Sequence, residues 1–383
     1  MIAHLSSWED MHELEGMVDT AAPSRTEPVP LVNHGGLVIS LDFELAWGVF
    51  DSVGSQGVYK KNLLGAREAV PRLLDLFGEF RIPVTWATVG FLFAGSREER
   101  EEFSPLLRPT YLDETRNPYL VRTGEDEKSD PLHYAKSLVG LIASYPLQEL
   151  ASHTFSHYYA LEKGQSIEQF SADLHSAQNI ARAHGHVLSS LVLPRNQNRP
   201  DYLPAIAGAG FTSYRSNQPN FLNHPSQVKP NLVLRGLRLM DSFVSITGSN
   251  LLPWAETMED EHGLVDVRES MFLRPYSVQL KSVEALSQRR LERALLAAAE
   301  TGSLLHLWWH PHNFGVLLEE NLGRLRRLLV LYEELNAQTG FGAFSMAQVA
   351  QVSTARPRYG ASYRELSEAK GEAAGHNGLL DPS

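Results

Sequence analysis

Two histidines four residues apart are the clearest chemical signal in the chain. The stretch ELASHTFSHYYA places His153 and His157 directly after a short apolar run. Imidazole nitrogens at this spacing can bind a metal ion. Histidines four apart also occur on ordinary helix faces, where they pack and form hydrogen bonds. The choice between a metal motif and a structural pair therefore depends on what other segments bring to it.

A carboxylate pair supplies the acidic side chains that such a site would need. GGLVISLDFE ends in Asp42 and Glu44, which share one face if the chain is still extended there. One carboxylate and two histidines make a metal site with positions open for water or substrate, and the second carboxylate is then available as a base. This is the composition of a hydrolytic metal centre. Either acidic residue alone could equally cap a following helix.

Two further segments end in polar or aromatic residues. Arg195 and Asn196 follow the apolar run of VLSSLVLPRNQN, and HLWWHPHNFG carries Trp308, His310 and His312. Taken singly, the arginine could form a structural ion pair and the tryptophan could pack in the core. The functional interpretation rests on four separate segment ends that carry such residues.

The segments that carry these residues predict strands alternating with helices. Short apolar runs bounded by Gly, Pro or polar residues are typical of strands buried in a parallel sheet. The predicted strands are GGLVISLDF, IPVTWATVG, LQELAS, VLSSLVLP, FTSYR, VDVRESMFL, SLLHLWWH and FGAF. Among the helical segments, SIEQFSADLHSAQNIARAHG opens with Ser166 and Gln169 in the arrangement of a capping box. The pattern predicts an α/β fold, a (β/α) barrel or a distorted form of one, in which chemistry gathers at the C-terminal ends of the strands.

Composition and charge restrict the possible functions. The 383 residues include no cysteine, so any metal must be held by His, Asp or Glu. The net charge of −11 and the lack of a basic, aromatic-interleaved face argue against nucleic acid or an anionic membrane as partner. No stretch reaches membrane-spanning length, and the first thirty residues lack the apolar core of a signal peptide. We therefore expect no membrane partner and a cytoplasmic location.

The two ends of the chain differ in composition from its middle. Residues 1–33 are rich in Pro, Ser and charge and predict a flexible extension, and 353–383 predict a mobile tail. The intervening 34–352 then form the barrel. Its stretch from about 95 to 131 contains several prolines without periodicity and is interpreted as an insertion.

The ordered series SLDFE, ELASHTFSH, LVLPRNQ and LWWHPHN resembles the motifs of the polysaccharide deacetylase family, the NodB-like carbohydrate esterases of family 4. The spacing of Asp42 and Glu44 is similar to that of the Asp-x-Asp/Glu variant branch, which includes allantoinase-like members. The resemblance spans about residues 35–350. It implies a distorted (β/α)₇ barrel of the NodB-homology type.

The resemblance also implies roles for the candidate residues. His153 and His157 would bind a divalent metal, most often Zn²⁺. Glu44 would be the third ligand and Asp42 the base, although the reverse assignment stays open. His310 would donate a proton to the leaving amine.

Other roles depend on weaker parts of the likeness. The family's usual arginine position is Val192 here, and Arg195 would take over the task of holding Asp42 and keeping it ionised. Residues interpreted as substrate contacts are Trp47, Asn196, Trp308 and His312. Residues interpreted as supporting the site are Asp241, Asp266, Glu269 and Arg274.

The function implied by the resemblance is that of a hydrolase acting on non-peptide carbon–nitrogen bonds. It would remove N-acetyl, or O-acetyl, groups from a carbohydrate or glycoconjugate precursor with the help of a metal. Two alternatives keep the same fold. One is a hydrolase of small linear or cyclic amides, of the allantoinase or imidase kind, which some members carry out without a tightly held metal. The other is a non-catalytic relative that binds carbohydrate.

Overall fold

A computed structural model of the chain describes residues 34–52, 57, 59–218, 236, 239–241, 243 and 247–355. The predicted extension over 1–33 lies outside the described residues, and so does the predicted tail from 356 onward. The last described helix ends at Ala355, three residues beyond the predicted end of the barrel.

One sheet runs through the described part of the chain, and all of its strand pairings are parallel. Its order is β6-β5-β4-β3-β2-β1-β8-β7, and β9 pairs with β1. The strands are β1 Gly36–Phe43, β2 Val84–Thr88, β3 Gln148–Ser152, β4 Ser190–Val192, β5 Ser213–Arg215, β6 Val265–Asp266, β7 Met271–Phe272, β8 Leu304–Trp309 and β9 Gly342–Phe344. All eight residues of β1 are buried, as expected for a strand covered on both faces.

The two end strands of this order belong to one stretch of chain that closes the sheet. On one side, the N–H of Val267 donates to the carbonyl of Tyr214, at 2.9 Å. On the other side, the N–H of Leu273 donates to the carbonyl of Trp308, also at 2.9 Å. Together β6 and β7 therefore fill the place of a single strand between β5 and β8. The result is a distorted barrel of seven strand positions, which confirms the predicted α/β fold class.

Helices connect the strands and pack their apolar stripes against the sheet. Their bounds are α1 Lys60–Glu79, α2 Arg97–Phe103, α3 Lys136–Ser144, α4 Ile167–Ala183, α5 Leu203–Gly208, α6 Glu284–Thr301, α7 Leu318–Thr339 and α8 Met346–Ala355. The predicted capping box of Ser166 and Gln169 opens α4 as expected. The predicted insertion around 95–131 falls between β2 and α3 and contains α2 and two short 3₁₀ turns.

The strand register brings the candidate residues to one end of the barrel. Phe43 is level with Thr88, Thr88 with Ser152, and Val192 with Arg215. Residues that follow β1, β3, β4, β5 and β8 therefore meet at the C-terminal edge of the sheet, which is where barrels of this type place their chemistry.

Candidate metal and proton-transfer site

Glu44 lies at the centre of the candidate site. It directly follows β1, and its side chain is buried. The Nε2 atoms of His157 and His153 lie 3.0 and 3.3 Å from Glu44 Oε2. These three side chains bring their ligand atoms close enough together to hold one metal ion. The structure thus assembles the His₂-carboxylate set with Glu44 as its acidic member.

The loop that carries the two histidines is held by a buried carboxylate. The backbone is left-handed at Thr154 (φ 63°) and at His157 (φ 60°), which is costly for residues other than glycine. Asp173 on α4 accepts the N–H groups of Phe155, at 2.7 Å, and of Ser156, at 3.1 Å. Burial raises the pKa of Asp173 to about 7, against the pull of these hydrogen bonds. Sequence reasoning did not single out Asp173, whose only signal is an acidic residue on the apolar face of a helix.

The protonation states of these groups suit a divalent cation. Nδ1 of His153 is 2.9 Å from the carbonyl oxygen of Val192, which only accepts, so Nδ1 carries a proton and Nε2 is the nitrogen that faces Glu44 and is available to a cation. Burial lowers the pKa of His157. Burial alone would raise the pKa of Glu44, but His310 and the two loop histidines hold it well below its ordinary value. Two imidazoles and a carboxylate are a donor set of zinc hydrolases, so the residues fit such an ion.

Asp42 has a different partner. Both of its carboxylate oxygens accept hydrogen bonds from the guanidinium of Arg215, each at 2.8 Å. Burial would raise the pKa of Asp42, but Arg215 outweighs it, with help from His153 and His310, and the pKa is lowered. Among the described residues, the groups that could hold a metal include Glu44 and not Asp42. The two carboxylates are therefore in different electrostatic environments although they are only two residues apart.

The contact with Asp42 that was expected of Arg195 is made by Arg215. Arg195 instead pairs with Asp51 and lies over the ring of Tyr159, 4.2 Å from its centroid. The reason is position along the chain, because Arg215 ends β5 with its side chain buried inside the barrel. Arg195 lies in the turn after β4, with φ 56° and a side chain that is 32% exposed. The segment FTSYR predicted the strand, but its last residue was not recognised as a site residue.

A row of hydrogen bonds behind Asp42 fixes Arg215. The Ser40 hydroxyl accepts from Arg215 Nη1 at 2.8 Å and lies 2.8 Å from Nε2 of His306. The other ring nitrogen of His306 faces the carbonyl of Val267 at 2.9 Å and so carries the proton. Ser40 must then donate to His306. Burial, with the charge of Arg215, lowers the pKa of His306 to about 3, so this ring is a neutral support.

Asn196 and Glu269 hold Arg215 from the other side. Asn196 Oδ1 accepts from Arg215 at 2.9 Å, and its Nδ2 donates to Glu269 at 3.5 Å. Asn196, predicted as a substrate contact, is thus tied into the support of Asp42. Glu269 is buried, and burial raises its pKa to about 7, against the charge of Arg215. Glu269, which was predicted to support the site, is thus part of the hydrogen-bond network around Arg215.

His310 and His312 lie on the opposite side of Glu44 from the histidine loop. His310 Nε2 is 3.4 Å from Glu44 Oε1 and 3.9 Å from Asp42 Oδ2, and its side chain is 23% exposed. The His312 ring stacks on it, with centroids 4.9 Å apart. His312 is only 3% exposed, and burial, with the neighbouring His310, lowers its pKa to about 3. The substrate contact predicted for His312 stays a prediction.

The two tryptophans predicted as substrate contacts differ in burial. Trp47 is fully buried, and its indole N–H donates to the carbonyl of His133 at 2.9 Å. It packs in the core against Phe91 and offers no surface to a substrate, which corrects the prediction. Trp308 is half-buried, and the guanidinium of Arg215 lies over its ring, 4.5 Å from the centroid.

Tyr59 is a further residue of the site that sequence reasoning missed. Its ring packs edge-on against His312, with centroids 5.6 Å apart. Burial raises its pKa to about 12, and the charge of Glu44 contributes. Tyr59 therefore stays protonated and presents a neutral hydroxyl near the Glu44 carboxylate.

Comparison with known proteins gives similarity of fold. No family model matches the chain, and no curated protein matches it in sequence. A protein from Mycobacterium smegmatis described as a polysaccharide deacetylase superposes with a TM-score of 0.51 at 14% identity, over 94% of this chain and 98% of its own. Another match is Puue allantoinase, with a TM-score of 0.48 at 14% identity, over 88% of this chain and 96% of its own. A protein from Pseudomonas aeruginosa PAO1, also described as a polysaccharide deacetylase, matches with a TM-score of 0.43 at 12% identity, over 83% of this chain and 89% of its own. The chain has the barrel fold of the Mycobacterium smegmatis protein.

No helix in the described part of the chain is long and apolar enough to cross a membrane.

Proposed function

We propose that the protein is a metal-dependent hydrolase that removes N-acetyl, or less readily O-acetyl, groups from a carbohydrate or glycoconjugate. The observation that carries this proposal is the convergence of His153, His157 and Glu44 beside a separately held Asp42–Arg215 pair. A cation site next to an ionised base is sufficient to promote the attack of water on an acyl group. The deacetylase-like motifs and the fold support the choice of substrate class.

In this proposal Glu44, His153 and His157 hold the cation, with Zn²⁺ as the ion that best suits two imidazoles and a carboxylate. The chemistry that such a cation supplies when bound is a lowered pKa of water, towards ~7, and a polarised acyl oxygen. The protein fixes its ligands in advance. Val192 sets the tautomer of His153, and Asp173 sets the conformation of the loop.

Asp42 acts as the base. Its lowered pKa keeps it ionised at neutral pH, and the two hydrogen bonds from Arg215 fix the plane of the carboxylate. Arg215 is a positioning residue, because it acts through Asp42 and is itself buried. Its other hydrogen bonds, to Ser40 and Asn196, hold the guanidinium in one position.

His310 acts as the acid that donates a proton to the leaving amine. Its Nε2 faces both carboxylates, at 3.4 and 3.9 Å, and it is the most exposed of the imidazoles around Glu44. Nδ1 lies 3.2 Å from Asn313 Oδ1, which also accepts the backbone N–H of His310 at 3.1 Å. The ring is thereby aimed at the site. A positioned acid of this kind typically contributes about 10²–10⁴-fold to the rate.

Metal content and acetate release test the proposal together. Purified protein should contain about one equivalent of zinc by elemental mass spectrometry, and the double variant His153→Ala/His157→Ala should contain none. Acetate release should be measured on oligomers of N-acetylglucosamine and a nucleotide-linked N-acetylhexosamine, with cyclic amides as the comparison class. Zinc binding with hydrolysis of cyclic amides alone would contradict the deacetylase assignment.

The two carboxylates can be tested separately. Asp42→Asn should keep the zinc and lose most turnover, whereas Glu44→Gln should lose both. Loss of zinc in Asp42→Asn with retention in Glu44→Gln would reverse the proposed roles. An intact zinc site with no hydrolysis of any acetylated or amide substrate would favour a carbohydrate-binding protein, which calorimetry with the same oligomers would detect.

A further inference from the structure

The carboxylate of Glu44 faces histidines at both of its oxygens. Oε2 is 3.0 and 3.3 Å from the Nε2 atoms of His157 and His153. Oε1 is 3.4 Å from Nε2 of His310. The ligand atoms of Glu44, His310 and His312 all lie within 4.8 Å of one another, as closely grouped as those of the first set.

We propose that Glu44, His310 and His312 form a second, weaker divalent-cation site that shares the Glu44 carboxylate with the first. A cation bound there would inhibit the enzyme, because it would occupy the nitrogen with which His310 donates its proton. A carboxylate that bridges two cations is a common feature of hydrolytic two-metal sites, whose ions lie about 3.5–4 Å apart. Two imidazoles and a carboxylate favour Zn²⁺ over Mg²⁺ or Ca²⁺.

The chain brings both imidazoles together before any ion arrives. They flank Pro311 at the start of the 3₁₀ turn Pro311–Phe314, with ring centroids 4.9 Å apart. Asn313 accepts at Nδ1 of His310, so Nε2 is the nitrogen available to a cation. The amide of Asn62 on α1 donates to the carbonyl of His312 at 3.4 Å, and Tyr59 packs against its ring.

Local charge makes this second site the weaker one. The charge of Asp42 is already balanced by Arg215, through two hydrogen bonds of 2.8 Å. Two cations would therefore share the single negative charge of Glu44. We expect the second to bind only at an excess of metal, after the first site is filled.

Zinc stoichiometry tests the site without reference to activity. After equilibrium dialysis against rising Zn²⁺, wild type should bind two equivalents, and His312→Ala and His312→Gln should each bind one. His175→Ala, which removes an exposed histidine on α4, should still bind two. Anomalous diffraction at the zinc edge should show one peak on each side of Glu44. Wild type that saturates at one equivalent, with a single peak, would overturn the second site and leave the proposed function standing.

The inhibitory role rests on the proposed function and has its own measurement. The rate of acetate release should be measured at tenfold excess zinc and at one equivalent of zinc. In wild type the rate at excess zinc should be at least fivefold lower than the rate at one equivalent. In His312→Gln the two rates should be nearly equal. Two bound equivalents with equal rates in wild type would overturn the inhibition. No bound zinc at all would refute the second site and the proposed function together.

Discussion

Arg215→Met is the substitution that most directly tests the electrostatic organisation of the site. The change removes a buried guanidinium that donates to both oxygens of Asp42 at 2.8 Å and leaves that carboxylate 3% exposed without its main counter-charge. Breaking a buried charge pair in this way typically costs about 3–5 kcal/mol. Loss of the guanidinium also leaves burial as the largest influence on Asp42, so its pKa should rise in the variant.

The direction of the pH dependence follows from that shift. In wild type the folded pKa of Asp42 lies below its ordinary value of 3.8, so the stability it contributes is present above about pH 4 and is lost as pH falls through the folded pKa. In Arg215→Met burial is no longer offset by the guanidinium, so the folded pKa of Asp42 lies above the unfolded one. The variant should then be least stable relative to wild type at pH 7 and closest to it at pH 4.

Activity should show the same shift. The acid limb of kcat/KM, which reports the base in the free enzyme, should move to higher pH. The variant should lose about 100-fold at pH 5 and recover much of this by pH 8. Urea unfolding at pH 4 and 7 and a pH–rate profile are the two measurements.

Arg195→Met is the matched control for this experiment. It removes a guanidinium that also pairs with an aspartate, but this guanidinium is 32% exposed, and the buried Asp51 carboxylate keeps a second partner, Arg116. It should cost less than Arg215→Met, because no buried carboxylate is left without a counter-charge, and it should leave the acid limb in place. If Arg215→Met lowers activity equally at every pH, or if both variants shift the profile alike, the assignment of Arg215 as the partner that sets the pKa of Asp42 is refuted.

Three further substitutions probe the supports of the site. Asp173→Ala leaves two buried backbone N–H groups without their acceptor, at a cost of about 1–3 kcal/mol each. The histidine loop should relax, and calorimetry should show weaker zinc binding; an unchanged zinc affinity would show that the loop keeps its conformation without Asp173. In Gly48→Ala the new Cβ would overlap the Glu44 carboxylate, so zinc should be lost while the circular dichroism spectrum is kept, and retention of zinc would show that Glu44 can move without penalty. Burial raises the pKa of Glu269 from 4.5 to about 7, so its contribution to stability is full below about pH 4.5 and is lost as pH rises to about 7. Glu269→Gln should flatten the fall in unfolding free energy over this interval, and a variant with the wild-type slope would contradict the assignment.

The parts of the site that sequence could predict are those encoded locally. A continuous apolar run that ends in Asp42 and Glu44 predicts both the strand and the carboxylates at its end. ELASHTFSH encodes its strand and both histidines within nine residues. Because parallel strands in a barrel end at the same edge, predicting the strands also predicted that these groups would meet.

The parts that could not be predicted depend on distant pairing. Which arginine reaches Asp42 is decided by the register of β4 and β5, in which Val192 is level with Arg215, and no local pattern specifies that register. The same holds for Asp173, whose partners are backbone groups 17 and 18 residues earlier in the chain. The burial of Trp47 could not be predicted either, because the exposure of a side chain depends on which distant segments cover it.

The separation of roles between Asp42 and Glu44 follows from where the strand stops. An alternating strand would point both carboxylates the same way. The chain leaves the extended conformation at Glu44, with φ −131° and ψ −19°, and enters the short 3₁₀ turn Leu45–Gly48. Asp42 thus points into the barrel towards a permanent cation, whereas Glu44 turns towards imidazoles that can be neutral. A metal at Asp42 would have to compete with a guanidinium that never loses its charge, but at Glu44 it meets imidazoles, which can give up a proton and become ligands. The end of one strand therefore supplies two carboxylates with different roles. Asp42 is the base because its partner, an arginine, is always charged, and Glu44 is the ligand because its partners, histidines, can be neutral.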